Sequence, residues 1–213
     1  MHSTKTLILA FIKRNGSGTV DELAQALDLA PMTVRQHLVT LQRDDLLQAE
    51  AVRRATGRPH YVYRLTQRGH DTFPKRYDRV AQALLQEVST LESGEIEGLA
   101  PDEKASLVLR RVAERLAGQY APLVRGRPLG EQVAAVTEIL HADGGFAEWE
   151  KTENGYVIRD YNCLFNHTSG QDSRGCQWHF FFLSKILGPA LRFEPVEGCG
   201  DCCRYVIEPQ PAL

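Results

Sequence analysis

The chain has 213 residues, of which 43% are hydrophobic and 24% charged, an ordinary globular composition long enough for one large domain or two small ones. It has no apolar run long enough to span a bilayer, and its opening MHSTKTLILAFIKRNG lacks the apolar length and small-residue cleavage site of a signal peptide, so a cytoplasmic protein with no membrane partner is expected. The net charge of −2 divides unevenly: residues 1–80 carry 13 Lys+Arg against 8 Asp+Glu, and residues 81–213 carry 12 against 19, so only the amino-terminal third suits a polyanion.

Leu7, Ile8, Phe11 and Ile12 recur at helical spacing, and the first helix should stop near Asn15-Gly16, where glycine accepts a left-handed cap. Thr19 with Glu22 three positions later is a capping box, and it opens a second helix with Leu23, Ala24 and Leu27 on its inner face. Pro31 suits the first position of a third helix, whose core face is Val34, Leu38 and Leu41. Two short helices across a tight turn are a helix-turn-helix. Met32, Thr33, Arg35, Gln36, His37 and Thr40 remain as outward or edge positions, of types that read base edges or hold phosphates. A small helical bundle with a solvated face is the alternative.

LLQAEAVRRATGRPHYVYRLT then reads as a hairpin with Arg53, Arg54 and Arg58 crowding its tip, and a basic hairpin after a helix-turn-helix is a wing. The residues VRQHLVTLQRDDLL followed by TGRPHYVYRLTQRG resemble the winged-helix repressors related to the arsenic-responsive family. The DNA-binding residues expected here are Thr33, Arg35, Gln36, His37, Thr40, Arg53, Arg54 and Arg58.

Thr66 can cap a short helix that Pro74 interrupts. In YDRVAQALLQEV, Tyr77, Val80, Ala81, Leu84, Leu85 and Val88 share a helical stripe, and Pro101–Tyr120 reads as a further amphipathic helix. This stripe either packs within its own chain or pairs with a second copy. A two-fold homodimer would set two recognition helices about 34 Å apart on a near-palindromic double-stranded operator. Residues 92–100, ESGEIEGLA, read as a linker; LGEQVAAVTEILHADGGF reads as a helix, and Ala147–Lys151 with Gly155–Asp160 as a hairpin turning at Asn154-Gly155. The expected fold is α+β, with a winged helix-turn-helix over residues 1–75, a helical dimerisation linker over 76–120 and a cysteine-rich α+β metal-cluster domain over 121–213.

All five cysteines lie in that last part. Cys163 follows the hairpin, Cys176 opens the apolar helix CQWHFFFLSKIL, and Cys199, Cys202 and Cys203 sit in a glycine-rich turn entering a strand through Tyr205, Val206 and Ile207. In a reducing compartment, thiols from three separate elements point to a metal centre, and both Zn(II) and iron–sulfur clusters are held by four thiolates. The spacing lacks the paired knuckles of a zinc ribbon, which favours iron–sulfur. Strand alternation sets Cys203, Tyr205 and Ile207 on one face and Cys202 on the other. His167 and His179, close after Cys163 and Cys176, are alternative ligands or polar neighbours.

Residues 156–207 resemble the sensor domain of SufR-type repressors, which combine such a wing with an iron–sulfur cluster and repress cluster-assembly genes. The resemblance implies a [4Fe–4S] cluster, with [2Fe–2S] or zinc as alternatives, held by Cys163, Cys176, Cys199 and Cys203, with Cys202 in reserve. This chain departs from that family at Leu164, where proline is usual, and in the short interval from Cys199 to Cys203. A repressor governed by its cluster is therefore expected. A winged-helix zinc or thiol-redox sensor, or a cluster-carrying electron-transfer or scaffold protein, are the alternatives. No nucleophile motif, phosphate loop or dinucleotide fingerprint is present, so an enzyme is not expected.

Overall fold

A computed structural model describes residues 3–52, 60–162, 174–188, 191–195 and 202–208. They form two compact units, the first ending at Pro74 and the second starting at Lys75.

The first unit begins with α1 (Thr4–Asn15), capped by the Ser3 side chain and stopped at Gly16 with φ 73°. Helix α2 (Val20–Leu27) opens on the expected capping box: the Thr19 hydroxyl accepts from the Glu22 backbone, and Thr19 N–H donates to the Glu22 carboxylate at 2.8 Å. That backbone bond and the Thr19 hydroxyl hold the Glu22 carboxyl below its ordinary value. Helix α3 (Pro31–Arg43) starts at its proline, and strands β1 (Leu47–Val52) and β2 (His60–Leu65) pair antiparallel with Leu47 opposite Leu65. A one-turn helix, α4 (Gln67–His70), follows its Thr66 cap; a side chain at Gly69 would collide with the Leu46 carbonyl, so the turn requires glycine.

The core of this unit is Ile8, Leu9, Ile12, Leu23, Val34, Leu38, Leu41, Leu47 and Leu65. Leu7, expected inside, is 42% exposed, and Leu9 takes its place. Lys13, one turn after Leu9 on the same side of α1, is also buried: its ammonium reaches His70 Nδ1 at 3.0 Å and lies over the Phe73 ring.

The second unit contains α5 (Tyr77–Ser89), a turn of helix α6 (Ser93–Ile96), α7 (Pro101–Val124), α8 (Leu129–Ala142), β3 (Ala147–Thr152), β4 (Gly155–Asp160), α9 (Arg174–Leu187), β5 (Leu191–Pro195) and β6 (Cys203–Ile207). The strands form one antiparallel sheet in the order β3-β4-β6-β5. Residues from α5, α7, α8, α9 and the sheet share a single core that includes Val80, Val112, Val136, Ile158, Phe182 and Tyr205. The stretch read as a helical linker thus packs together with the sheet.

Three details differ from the expected elements. Helix α7 runs past Tyr120 to Val124, with Pro122 tolerated in its last turn, where only the bond to Gly118 is forgone. The hairpin loop is Glu153-Asn154, because Thr152 pairs with Gly155. On α5 the buried positions are Val80, Ala83 and Glu87, whereas Tyr77, Leu85 and Val88 are exposed in the single chain. Burying Glu87 is possible because Arg111 Nε donates to it at 2.9 Å and Arg115 Nε donates to its other oxygen. Burial pushes the Glu87 carboxyl up, but hydrogen bonds from Arg115 and Arg111 outweigh it and leave the group below its ordinary value.

Candidate nucleic-acid interface and cysteine region

Helix α3 is fixed from below by Val34, Leu38 and Leu41, which are fully buried. At about 100° per residue, the line pointing directly away from them is Met32, Gln36, Val39 and Arg43. All four are exposed, as is Arg35 on one flank. Thr33, His37 and Thr40 are half-buried on the other flank, and the Thr40 hydroxyl donates to the Gln36 carbonyl at 2.9 Å. Arg35 lies near enough to the hairpin to oppose the rise that burial and Tyr61 impose on the Tyr63 phenol. Val39 was missed in the sequence, although its position seven residues after Met32 is the signal for a shared face. Arg53, Arg54 and Arg58 fall outside the described residues.

The hairpin is anchored to the helices by backbone pairing: Gly18 N–H donates to the Tyr63 carbonyl at 3.0 Å and Tyr63 N–H returns the bond at 2.9 Å. The result is a three-helix unit with a β-ribbon held against it, presenting one exposed helix face. Such a face fits the major groove, which admits an α-helix.

In the second unit, Cys203 stands opposite Asp160 across the β4–β6 pair. Its side chain is 6% exposed and shares a face with buried Tyr205 and Ile207, as alternation requires, while Cys202 just before the strand is half-buried. Asp160 Oδ1 accepts from the backbone N–H of Asn162 at 3.0 Å and of Phe146 at 3.3 Å, and Asn162 donates to the Gly144 carbonyl at 2.7 Å. The backbone leading to residue 163 is therefore pinned.

Helix α9 reaches the same end of the sheet. The His179 ring lies 5.5 Å from Tyr205, its Nδ1 is 3.9 Å from Asp160 Oδ2, and Trp178 stacks on Phe182. Cys176 stands in the first turn of α9, three residues before His179, and its side chain lies outside the described residues. Cys163, Cys199 and His167 also lie outside them. Among the described residues no three His, Cys, Asp or Glu side chains form a metal-holding group. A cavity of about 30 Å³, room for about two waters, borders Asp160, His179, Trp178 and Phe182. No described helix is long and apolar enough to cross a membrane.

No curated protein matches the chain. Two solved structures are similar over parts of it. The transcriptional regulator homologue protein from Pyrococcus horikoshii OT3 is 24% identical over 32% of this chain and 66% of its own, with a TM-score of 0.29. PadR from Bacillus subtilis, in complex with operator DNA, is 14% identical over 64% of this chain and 90% of its own, with a TM-score of 0.28. At such scores neither likeness carries weight for the chain as a whole. Residues 5–51, which hold α1 to α3 and most of β1, match the DeoR-like helix-turn-helix domain, so the chain carries the DNA-binding domain of a transcriptional regulator.

Proposed function

We propose that the protein is a homodimeric transcriptional repressor whose operator affinity is set by an iron–sulfur cluster in its second unit. The observation that carries the DNA-binding part is the exposed outer line of α3, fixed on a buried base within a helix-turn-helix domain. For the cluster, the supporting observation is that Cys203 stands opposite Asp160, three residues before Cys163, and that Asp160 lies 3.9 Å from His179, three residues after Cys176. Thiols on these segments would then come near one another, as a four-coordinate centre needs. Of the four cysteines expected as ligands, Cys203 alone has a described side chain; it is buried on β6, and thiolate sulfur is the donor that such clusters take. Cys163, Cys176, Cys199 and Cys203 would be the ligands, with Cys202, His167 and His179 as alternatives.

When bound, a [4Fe–4S] cluster supplies four iron–thiolate bonds that tie these segments together. This chain's residues hold the segments in place: Asp160 and Asn162 fix the backbone before Cys163, and His179 packs edge-on against Tyr205 of β6 and so ties α9 to the sheet. Regulation follows from linkage, because whatever changes DNA affinity through the cluster must be matched by an equal effect of DNA on cluster retention. Dimerisation is supported by the exposed apolar line Tyr77, Ala81, Leu85 and Val88 on α5, spaced as one helix face. Laid antiparallel against its copy, that face sets the small Ala81 opposite the large Leu85.

The test is anaerobic purification with an absorbance spectrum and iron and sulfide analysis, beside salt-dependent duplex binding. Four irons and four sulfides per chain with salt-sensitive binding support the proposal. Zinc in place of iron would favour a winged-helix zinc or thiol-redox sensor, and a cluster without duplex binding an electron-transfer or scaffold protein.

A further inference from the structure

The outer line of α3 contains two residues that a polar groove-facing helix does not need. Met32 is 64% exposed and Val39 is 65% exposed, although each lies directly opposite the buried face of the helix. Scattered apolar exposure is normal on a protein surface. Here the two flank Gln36 on a single line, and Arg35 and Arg43 border them. A protein partner would be met by a wider apolar patch, whereas this line alternates apolar, amide, apolar and cationic groups.

We propose that Met32 and Val39 read the C5-methyl groups of thymines in the major groove, a specificity that rests on the DNA-binding reading above. The thymine methyl is the only apolar group a base pair presents there, and apolar side chains are its natural contact. Gln36, between the two, suits the N6 and N7 edge of adenine, whose pairing partner is again thymine. Seven residues of helix advance about 10.5 Å at ~1.5 Å per residue. With bases stacked about 3.4 Å apart, that separation covers about three base steps. The half-site therefore contains two thymines about three steps apart with an A·T pair between them.

The experiment is selection of bound duplexes from a random library by the full-length protein, followed by replacement of each selected thymine with deoxyuridine. This removes only the methyl group and leaves every hydrogen bond. Two positions about three steps apart should each lose about three- to fivefold in affinity, the scale of one buried methyl-sized group. Met32→Ala should abolish the loss at one of them and Val39→Ala at the other, without changing the far-ultraviolet circular dichroism, because both side chains are on the surface. A selected site with no deoxyuridine penalty overturns the methyl reading and leaves DNA binding intact. A penalty that survives both substitutions overturns it as well, since other residues then read the methyls. No enriched duplex sinks the DNA-binding reading and this one together.

Discussion

Cys203 and Asp160 face each other across the β4–β6 pair, the thiol buried and the carboxylate held by two backbone N–H groups. The strand position that brings a cysteine beside the route to Cys163 is thus built from backbone hydrogen bonds. Replacing Cys203 by serine should remove most of the visible absorbance of the anaerobic protein. Replacing Cys202, whose position alternates to the other side, should leave it. Loss with Cys202→Ser and retention with Cys203→Ser would reverse the assignment.

Glu87 gives a prediction about stability. Its carboxylate is nearly buried between α5 and α7 with Arg111 and Arg115, and Arg111 also holds Glu95 at 2.7 Å. Glu87→Gln removes the anionic partner of Arg115 and leaves Arg111 with Glu95 alone, and should cost about 1–3 kcal/mol in denaturant unfolding.

The same residue sets a pH dependence. A carboxyl held below its ordinary value in the folded state adds stability above the unfolded value, and loses it as pH falls through the folded one. Acid should therefore weaken the wild type more steeply than Glu87→Gln. Parallel stability profiles for the two proteins below the ordinary carboxylate range would show that Glu87 contributes nothing to acid sensitivity.

Leu85 is 73% exposed at the centre of the α5 line. Leu85→Glu should convert a dimer to a monomer in sedimentation while leaving the helix content unchanged. A dimer that persists in this variant would put the two-fold interface elsewhere.

What was legible in the sequence was local. Thr19 with Glu22, Pro31 and Gly16 mark helix ends through their own chemistry, and the structure has a capping box at Thr19, the first turn of α3 at Pro31 and a left-handed cap at Gly16. The alternation that separates Cys202 from Cys203 was equally plain. Burial decided by distant partners was not. Leu9 rather than Leu7 lies inside, on the side of α1 where Lys13 reaches His70, 57 residues away, and Glu87 is buried against arginines 24 and 28 residues on. Strand β5 escaped notice because its five residues earn their place only by pairing with β6. On α3 Met32 and Gln36 of the outward line were legible among the outward or edge positions, whereas Val39 and Arg43 on the same line were not named.

The central claim is that the cluster governs DNA affinity. The most direct measurement is a fluorescence-anisotropy titration of a selected operator duplex under anaerobic conditions, with the full-length protein before and after oxidative removal of the cluster. Circular dichroism and sedimentation would confirm that both forms are folded and of equal size. The account predicts that the cluster-bearing form binds at least about tenfold more tightly, within the ordinary range of allosteric coupling. Equal affinities for the two folded forms would make the cluster a structural staple and contradict the claim.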